Sequence, residues 1–147
     1  MNKKPTPGEI VVMAGGAVAL IFSFLPFWKL DVGGLSDDVS AWSSGLFPVA
    51  TLIPIFAAIA AVLVALRTFA NFNYPPNGVL GFTWNSLILA VTFFAAILAV
   101  AYLLVDKGAY DLGFGFFLVF IGSVGSFVGA ILMQNEARTG AGGPPRA

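Results

Sequence analysis

The chain of 147 residues contains no cysteine and no histidine. Without cysteine it can form no disulfide, and thiol nucleophiles and thiolate-ligated metal sites are excluded. Without histidine it lacks the commonest metal ligand in proteins and the usual proton shuttle at neutral pH. Because both residue types are absent, many enzyme mechanisms are excluded for this chain.

Charged side chains are scarce as well, at 10% of the residues, with seven basic residues balancing seven acidic ones. No basic stripe or RNA-binding aromatic motif is present, so nothing indicates nucleic acid as a partner. Hydrophobic residues make up 59% of the chain and the mean hydropathy is +0.93, well above what soluble domains show. The composition therefore predicts an integral membrane protein whose surroundings are the lipid bilayer.

Four uncharged apolar runs divide the chain, each of about twenty residues, which suffices to cross a bilayer core of roughly 30 Å as a helix. We therefore predict an all-α fold, a polytopic membrane protein with an up-down bundle of four transmembrane helices in residues 10–134. The predicted helices cover about residues 10–28, 46–66, 82–105 and 112–134. Residues 1–9 are predicted to form a cytoplasmic N-terminus, and the polar, Gly/Pro-rich residues 135–147 a disordered cytoplasmic tail.

The first helix carries a start signal. Thr6 as N-cap, Pro7 at the first helical position and Glu9 three residues after Thr6 form a predicted capping box. A signal peptide is the alternative interpretation, because two lysines precede the apolar run. However, residues 24–28 are too bulky for a cleavage site. We predict a retained helix that ends near Trp28, whose ring suits a membrane surface.

Three further features before the last helix carry predictions. Residues 29–45 read as a solvated loop, in which Asp37 and Asp38 are only weak evidence of a cation site, because no further oxygen ligands are suitably spaced. Pro54 removes a backbone donor from the second helix, so we predict a bend there, either a simple kink or a functional hinge. Asn85, near the start of the third helix, is predicted to hydrogen-bond a neighbouring helix.

The last helix carries a stripe of small residues. At about 100° per residue they fall within a sector of roughly 100°, and two pairs of them have the small-xxx-small spacing that lets membrane helices approach backbone to backbone. The predicted helix-packing residues are Gly115, Gly122, Gly125, Ser126 and Gly129. The stripe either closes the bundle on itself or docks a partner.

Basic and aromatic residues predict the orientation. Five basic residues fall on the side of the termini and two on the other side, which favours cytoplasmic N and C termini under the positive-inside rule. The five are Lys3, Lys4, Arg67, Arg138 and Arg146, and the two are Lys29 and Lys107. Aromatic residues are predicted at both membrane surfaces: Trp28, Trp42, Tyr102 and Tyr110 outside, Tyr74 and Trp84 inside.

Three short stretches carry a resemblance to a known group of proteins. They are Phe24-Leu25-Pro26-Phe27-Trp28 after the first helix, Ala41-Trp42-Ser43-Ser44-Gly45 in the first loop, and the Gly-rich residues 122–129. In this order the chain resembles small four-span membrane proteins of unassigned function found in actinobacteria. Their first helix ends in a Phe-Leu-Pro-Trp type sequence, whereas here Phe27 intervenes. The resemblance implies a plasma (cell inner) membrane location and supplies no activity.

Several classes of function are excluded because the predicted membrane spans lack the side chains that they need. Proton-coupled transporters need ionisable groups inside the membrane, channels need a polar pore lining, and a nucleophile needs an activating base; the spans offer none of these. We predict a non-catalytic protein without cofactor or metal, acting as an interaction/scaffold or accessory subunit through helix packing and outer-loop contacts with itself or another membrane protein. The alternative is binding of a hydrophobic ligand or lipid, or passage of a small solute through an oligomer.

Overall fold

Four helices and a small antiparallel sheet form the described part of the chain, which covers residues 4–42, 49–70, 72, 78–106 and 110–140 of a computed structural model. The helices are α1 (Pro7–Phe22), α2 (Leu52–Phe69), α3 (Trp84–Leu104) and α4 (Phe114–Thr139). The strands are β1 (Trp28–Val32), β2 (Leu35–Val39) and β3 (Tyr110–Leu112). The all-α prediction is therefore corrected: the fold is mostly helical and also contains a three-stranded sheet.

Two clusters of buried side chains show that the helices run alternately up and down. One cluster joins the ends of α1 and α3 to the starts of α2 and α4, through Ala19, Ile53, Ala57, Ala99 and Phe116. The other joins the starts of α1 and α3 to the ends of α2 and α4, through Val12, Val64, Ile88 and Met133. The first cluster, which also contains Phe27 and Trp28, marks the sheet end of the bundle. The second marks the terminal end, where Thr6 and Gly140 lie.

The sheet is built from the two connections at the sheet end. β1 is the middle strand and runs antiparallel to both β2 and β3, with Trp28 opposite Leu112. Part of the predicted solvated loop is thus a β-hairpin. Its two-residue turn places Gly33 and Gly34 at φ of 62° and 86°, a left-handed conformation that this tight turn requires at both positions and that glycine adopts without strain.

α1 begins as the sequence predicts and ends earlier. The Thr6 N–H donates to Glu9 Oε2 at 3.0 Å and the Glu9 N–H donates to Thr6 Oγ1 at 3.3 Å, which confirms the capping box. The helix ends at Phe22 because the chain then turns through Pro26 to enter β1, and Trp28 belongs to that strand. α1 therefore has 16 residues, fewer than any of the other three helices.

α2 starts later than predicted and α4 ends later. Pro54 is the third residue of α2, where a backbone N–H has no partner within the helix, so the physical reason for a bend does not apply. α4 continues past Gln134 to Thr139, and Gly140 closes it in the left-handed conformation. Residues 135–139 are thus helical where a disordered tail is predicted. The predicted residues 1–3, 46–48 and 141–147 lie outside the described residues.

Three helices, α2, α3 and α4, are long and apolar enough to cross a membrane, judged by length and composition. The 16 residues of α1 rise only about 24 Å, short of the roughly 30 Å bilayer core. Large apolar side chains are exposed on the outward faces of all four helices, among them Ile21, Val62, Phe94 and Ile121. Such faces are suited to lipid.

Candidate functional site

The glycine stripe of α4 lies against α1 along most of its length. A Cβ at Gly122 would lie 2.7 Å from Gly15 O, and a Cβ at Gly129 would lie 2.7 Å from Val12 N, so neither site has room for a side chain. Ser126 Oγ donates to Val12 O at 3.3 Å. At the sheet end the same approach continues beyond α1, because the N–H of Gly115 donates to the carbonyl of the turn preceding β1 at 2.9 Å.

Gly125 is the exception in the predicted set. A Cβ there would have nothing within 4 Å. Six of the nine buried positions of α4 follow a spacing of four and three residues, at 115, 119, 122, 126, 129 and 133, and Gly125 falls at the edge of that stripe. A small residue in the sequence therefore marks close packing only where a neighbouring backbone faces it.

The glycines of α1 that complete this contact are not among the predicted helix-packing residues. Gly8 and Gly15 face α4: a Cβ at Gly8 would lie 2.6 Å from Met133 N, and a Cβ at Gly15 would lie 2.6 Å from Gly122 O. Gly16 faces α2, where a Cβ would meet Ala57 O. The signal was present, because residues 8, 12, 15 and 19 repeat the spacing of the α4 stripe and are buried. We call this contact between the glycines of α1 and the stripe of α4 the α1–α4 seam. The two helices run antiparallel along it.

A polar pocket lies at the terminal end, between all four helices. Its volume is about 230 Å³ and its charged and amide side chains come one from each helix: Glu9, Arg67, Asn85 and Glu136. The guanidinium Nη1 of Arg67 donates to Asn85 Oδ1 at 2.9 Å, which confirms the predicted hydrogen bond from Asn85 to a neighbouring helix. The sequence alone does not bring these residues together, because each lies near a helix end and appears solvated when taken alone.

The pocket is closed on its inner side by apolar packing. Met133 lines the pocket and belongs to the buried cluster at the terminal end. The other members of that cluster are Val12, Ala60, Val64, Ile88 and Ala130, all fully or almost fully buried. In the described residues the pocket thus opens away from the bundle interior.

The β1–β2 hairpin is the second candidate site. Its base is held by Trp28, which is 1% exposed and packs edge-on against Tyr102 with ring centroids 5.5 Å apart. Its tip is open, with Val32 51% and Leu35 78% exposed on either side of the glycine turn. The hairpin is therefore a projection with a fixed base and an apolar tip.

Asp37 and Asp38 of the hairpin do not form a cation site together. They are consecutive residues of β2, and consecutive side chains of a strand point to opposite faces. Asp38 lies across from Lys29 in the strand register. The described residues contain no group of three or more acidic side chains that could hold a metal ion.

The predicted interface aromatics fall at the two ends of the bundle, with one difference. Trp42 lies at the sheet end, where its Nε1 donates to Ser23 Oγ at 2.8 Å, and Tyr110 begins β3 there. Trp84 begins α3 at the terminal end, while Tyr74 lies outside the described residues. Trp28 differs because its ring is inside the protein and not on the surface.

Comparison of the chain with protein-family models, curated proteins and solved structures finds no match.

Proposed function

We propose that the protein is a non-catalytic, multi-pass protein of the plasma (cell inner) membrane that acts as an interaction or accessory subunit. Its β1–β2 hairpin is the contact surface for another membrane protein. The observation that carries this proposal is the apolar hairpin tip, exposed at Val32 and Leu35 on a base that is buried in the bundle.

The construction of the hairpin supports a role in contact. An apolar tip in water costs free energy in proportion to its exposed area, about 25 cal/mol per Å², and covering it by a partner recovers that cost. β2 is an edge strand, so part of its backbone is available for pairing with a strand of a partner. Asp37 and Asp38 lie on this edge. The partner surface we expect is therefore apolar with a basic rim.

The orientation in the proposal has the termini in the cytoplasm and the hairpin outside. Among the described basic residues, Lys4, Arg67 and Arg138 lie at the terminal end and Lys29 at the sheet end, which supports this orientation. The other three basic residues of the prediction, Lys3, Lys107 and Arg146, lie outside the described residues.

Single cysteines test the orientation, because the chain has none of its own. Ser36→Cys in β2 and Thr139→Cys at the end of α4 are both at exposed positions. We expect a membrane-impermeant maleimide to label Ser36→Cys in intact cells and to label Thr139→Cys only after permeabilisation. The reverse pattern would contradict cytoplasmic termini.

Site-specific photo-crosslinking tests the contact surface. A photo-reactive residue at position 35 should give one discrete protein adduct in native cells, while the same residue at position 121, exposed on the outward face of α4, should give lipid adducts. Replacing Val32 with Asp should abolish the position-35 protein adduct without changing the amount of folded protein. Lipid adducts alone at position 35, or a protein adduct that Val32→Asp leaves unchanged, would contradict the proposal.

A second candidate function, binding of a lipid or other small ligand, is favoured by the polar pocket at the terminal end. The pocket does not favour passage of a solute through a single bundle, because it is closed on its inner side by the apolar cluster that contains Met133.

A further inference from the structure

The polar pocket at the terminal end has one wall that carries two carboxylates. Both are held by backbone N–H groups around the start of α1: the Thr6 N–H donates to Glu9 Oε2 and the Gly8 N–H donates to Glu136 Oε1, each at 3.0 Å. Each bond uses one oxygen of its carboxylate. Among the described residues neither Glu9 Oε1 nor Glu136 Oε2 accepts a hydrogen bond, so each carboxylate keeps an oxygen for a further donor.

Glu9 is the more confined of the two acids. Its side chain is only 4% exposed, yet it lines the pocket. Charged groups that are buried in proteins are ordinarily paired with an opposite charge, because transfer of an unpaired charge from water is costly. Within the described part of the chain no basic side chain forms an ion pair with Glu9. Among the described residues this buried carboxylate thus has a backbone N–H as donor and no basic side chain in an ion pair, which leaves it able to bind a positive group that enters the pocket.

The opposite wall carries a positive charge that is also anchored. Arg67, in the last turn of α2, donates to Asn85 of α3, which holds the guanidinium on the side of α2 and α3. In the described residues no ion pair joins Arg67 to either glutamate. The pocket is therefore lined by two negative groups and one positive group that form no ion pair with one another in the described residues.

A small ligand with both charges matches this arrangement better than a simple ion. An anion alone would meet the two carboxylates, and a cation alone would meet the guanidinium. A molecule with an ammonium group and a phosphate a few bonds apart satisfies both walls, since the ammonium has three donors for the free carboxylate oxygens and the guanidinium binds phosphate through paired N–H groups.

The position of the pocket along the helices points to the membrane surface. Glu9 lies in the first turn of α1 and Arg67 in the last turn of α2, just where the apolar segments stop. Lipid headgroups lie at this depth. With a volume of about 230 Å³, the pocket has room for a headgroup and not for acyl chains, because pockets for drug-sized ligands begin at about 300 Å³.

We propose that the pocket between Glu9, Glu136 and Arg67 binds a phosphoethanolamine group, with its ammonium on the two carboxylates and its phosphate on the guanidinium. The group is supplied either by the headgroup of phosphatidylethanolamine or by a free phosphoethanolamine. This site is at the opposite end from the hairpin, so it stands or fails independently of the proposed contact surface.

Lipid exchange tests the headgroup chemistry. The purified full-length protein is placed in nanodiscs that contain equimolar phosphatidylethanolamine, phosphatidylcholine and phosphatidylglycerol with identical acyl chains, and the retained lipid is identified by native mass spectrometry. We expect phosphatidylethanolamine to be retained about tenfold over either other lipid, the equivalent of one charge-assisted hydrogen bond. Phosphatidylcholine has no ammonium hydrogen to donate, and phosphatidylglycerol has no ammonium. Equal retention of the three lipids would overturn the lipid form of the proposal.

Two variants and a control locate the binding. Glu9→Gln keeps the capping box, which accepts Glu or Gln, and removes the buried charge; Arg67→Gln removes the phosphate contact. Each variant should lower the retention of phosphatidylethanolamine about tenfold. Arg138→Gln is the control, because Arg138 is exposed in the last turn of α4, and it should leave the retention unchanged. Unchanged retention in Glu9→Gln, with its thermal unfolding midpoint also unchanged, would overturn the assignment of the ammonium.

A separate arm distinguishes the two sources. Soluble phosphoethanolamine is titrated into the protein in phosphatidylcholine nanodiscs, with phosphocholine as the matched control. Stabilisation by phosphoethanolamine alone, lost in Glu9→Gln, supports the site with a free ligand even where no lipid is selected. If neither the lipid nor the soluble compound is selected over its choline counterpart, the pocket does not recognise this group and the proposal is wrong.

Discussion

The two ends of the bundle differ in the side chains that they contain. At the sheet end, Phe27, Trp28 and Phe116 are buried, and Phe27 meets both other rings edge to face, with the ring centroids of Phe27 and Phe116 5.0 Å apart. At the terminal end, Glu9 and Arg67 line one pocket. In the described residues the first end has a buried aromatic cluster, while the second has a pocket lined by charged side chains.

This difference between the two ends predicts which substitutions change the stability of the fold and which change ligand binding. Filled apolar packing stabilises a fold because every lost contact leaves a void, whereas an open pocket with fixed polar groups stabilises the fold less and is available to a ligand. We therefore expect substitutions at the sheet end to change mainly the free energy of unfolding. Substitutions at the terminal end should change mainly binding.

The largest expected effect is at the sheet end. Trp28→Ala should lower the free energy of unfolding by about 3–5 kcal/mol, because it removes the largest fully buried side chain under the sheet. Thermal or denaturant unfolding in detergent micelles measures this loss. Leu35→Ala, at the exposed hairpin tip, is the control and should change little. A loss below about 0.5 kcal/mol for Trp28→Ala, within the range of a typical surface change, would contradict the difference between the ends.

A smaller effect is expected in the α1–α4 seam that connects the ends. Gly122→Ala should destabilise by about 1–3 kcal/mol, because its Cβ would be forced against the backbone of α1. Gly125→Ala is the matched control three residues away and should be neutral or stabilising by up to about 1 kcal/mol, since its Cβ would enter open space and alanine favours the helix. Equal effects of the two changes would show that the seam is not closely packed.

At the terminal end the expected loss of stability is modest. Glu136→Ala removes the acceptor for the Gly8 N–H and a negative charge from the start of α1, so we expect a loss of about 1 kcal/mol. The same unfolding assay measures it, with Arg138→Ala as the exposed control. A loss as large as that of Trp28→Ala would remove the distinction between a packed end and a binding end.

The smallest effect on stability is expected at the hairpin tip. Leu35→Asp should change the free energy of unfolding by less than about 0.5 kcal/mol, because the side chain is exposed and touches no buried cluster. The same change should weaken the proposed contact with a partner, read as loss of co-purification after mild-detergent extraction. A clear loss of folding stability would mean that the tip packs against the protein and is not free to dock.

Local signals in the sequence predicted local structure well. Thr6 and Glu9 predicted the start of α1, because a capping box depends only on residues three apart. The sheet was harder to find, since Lys29 and Asp31 between apolar neighbours read equally well as a polar loop. In the structure all five residues of β1 pair with β2 across the glycine turn, and the first three of them pair also with β3, more than seventy residues later in the chain. The pairing with β3 is a long-range contact that local signals do not reveal.

The same limit explains the helix ends. Trp28 continues an apolar run, so hydropathy alone extends the first helix to it. The structure ends the helix at Phe22 because burial of the Trp28 ring among Phe27, Phe116 and Tyr102 requires a strand at this point. A tertiary contact here outweighs local hydropathy.

By itself the sequence determined four apolar segments with charge only at their ends, because the free energy of transfer to lipid depends on each segment's own composition. It also determined that small residues recur along the last helix. Only the tertiary structure decided which glycines meet a facing backbone, that β3 pairs with the β1–β2 hairpin, and that Glu9, Arg67, Asn85 and Glu136 surround one pocket. Each of these depends on the relative placement of elements far apart in the chain, and residue spacing within one segment does not encode that placement.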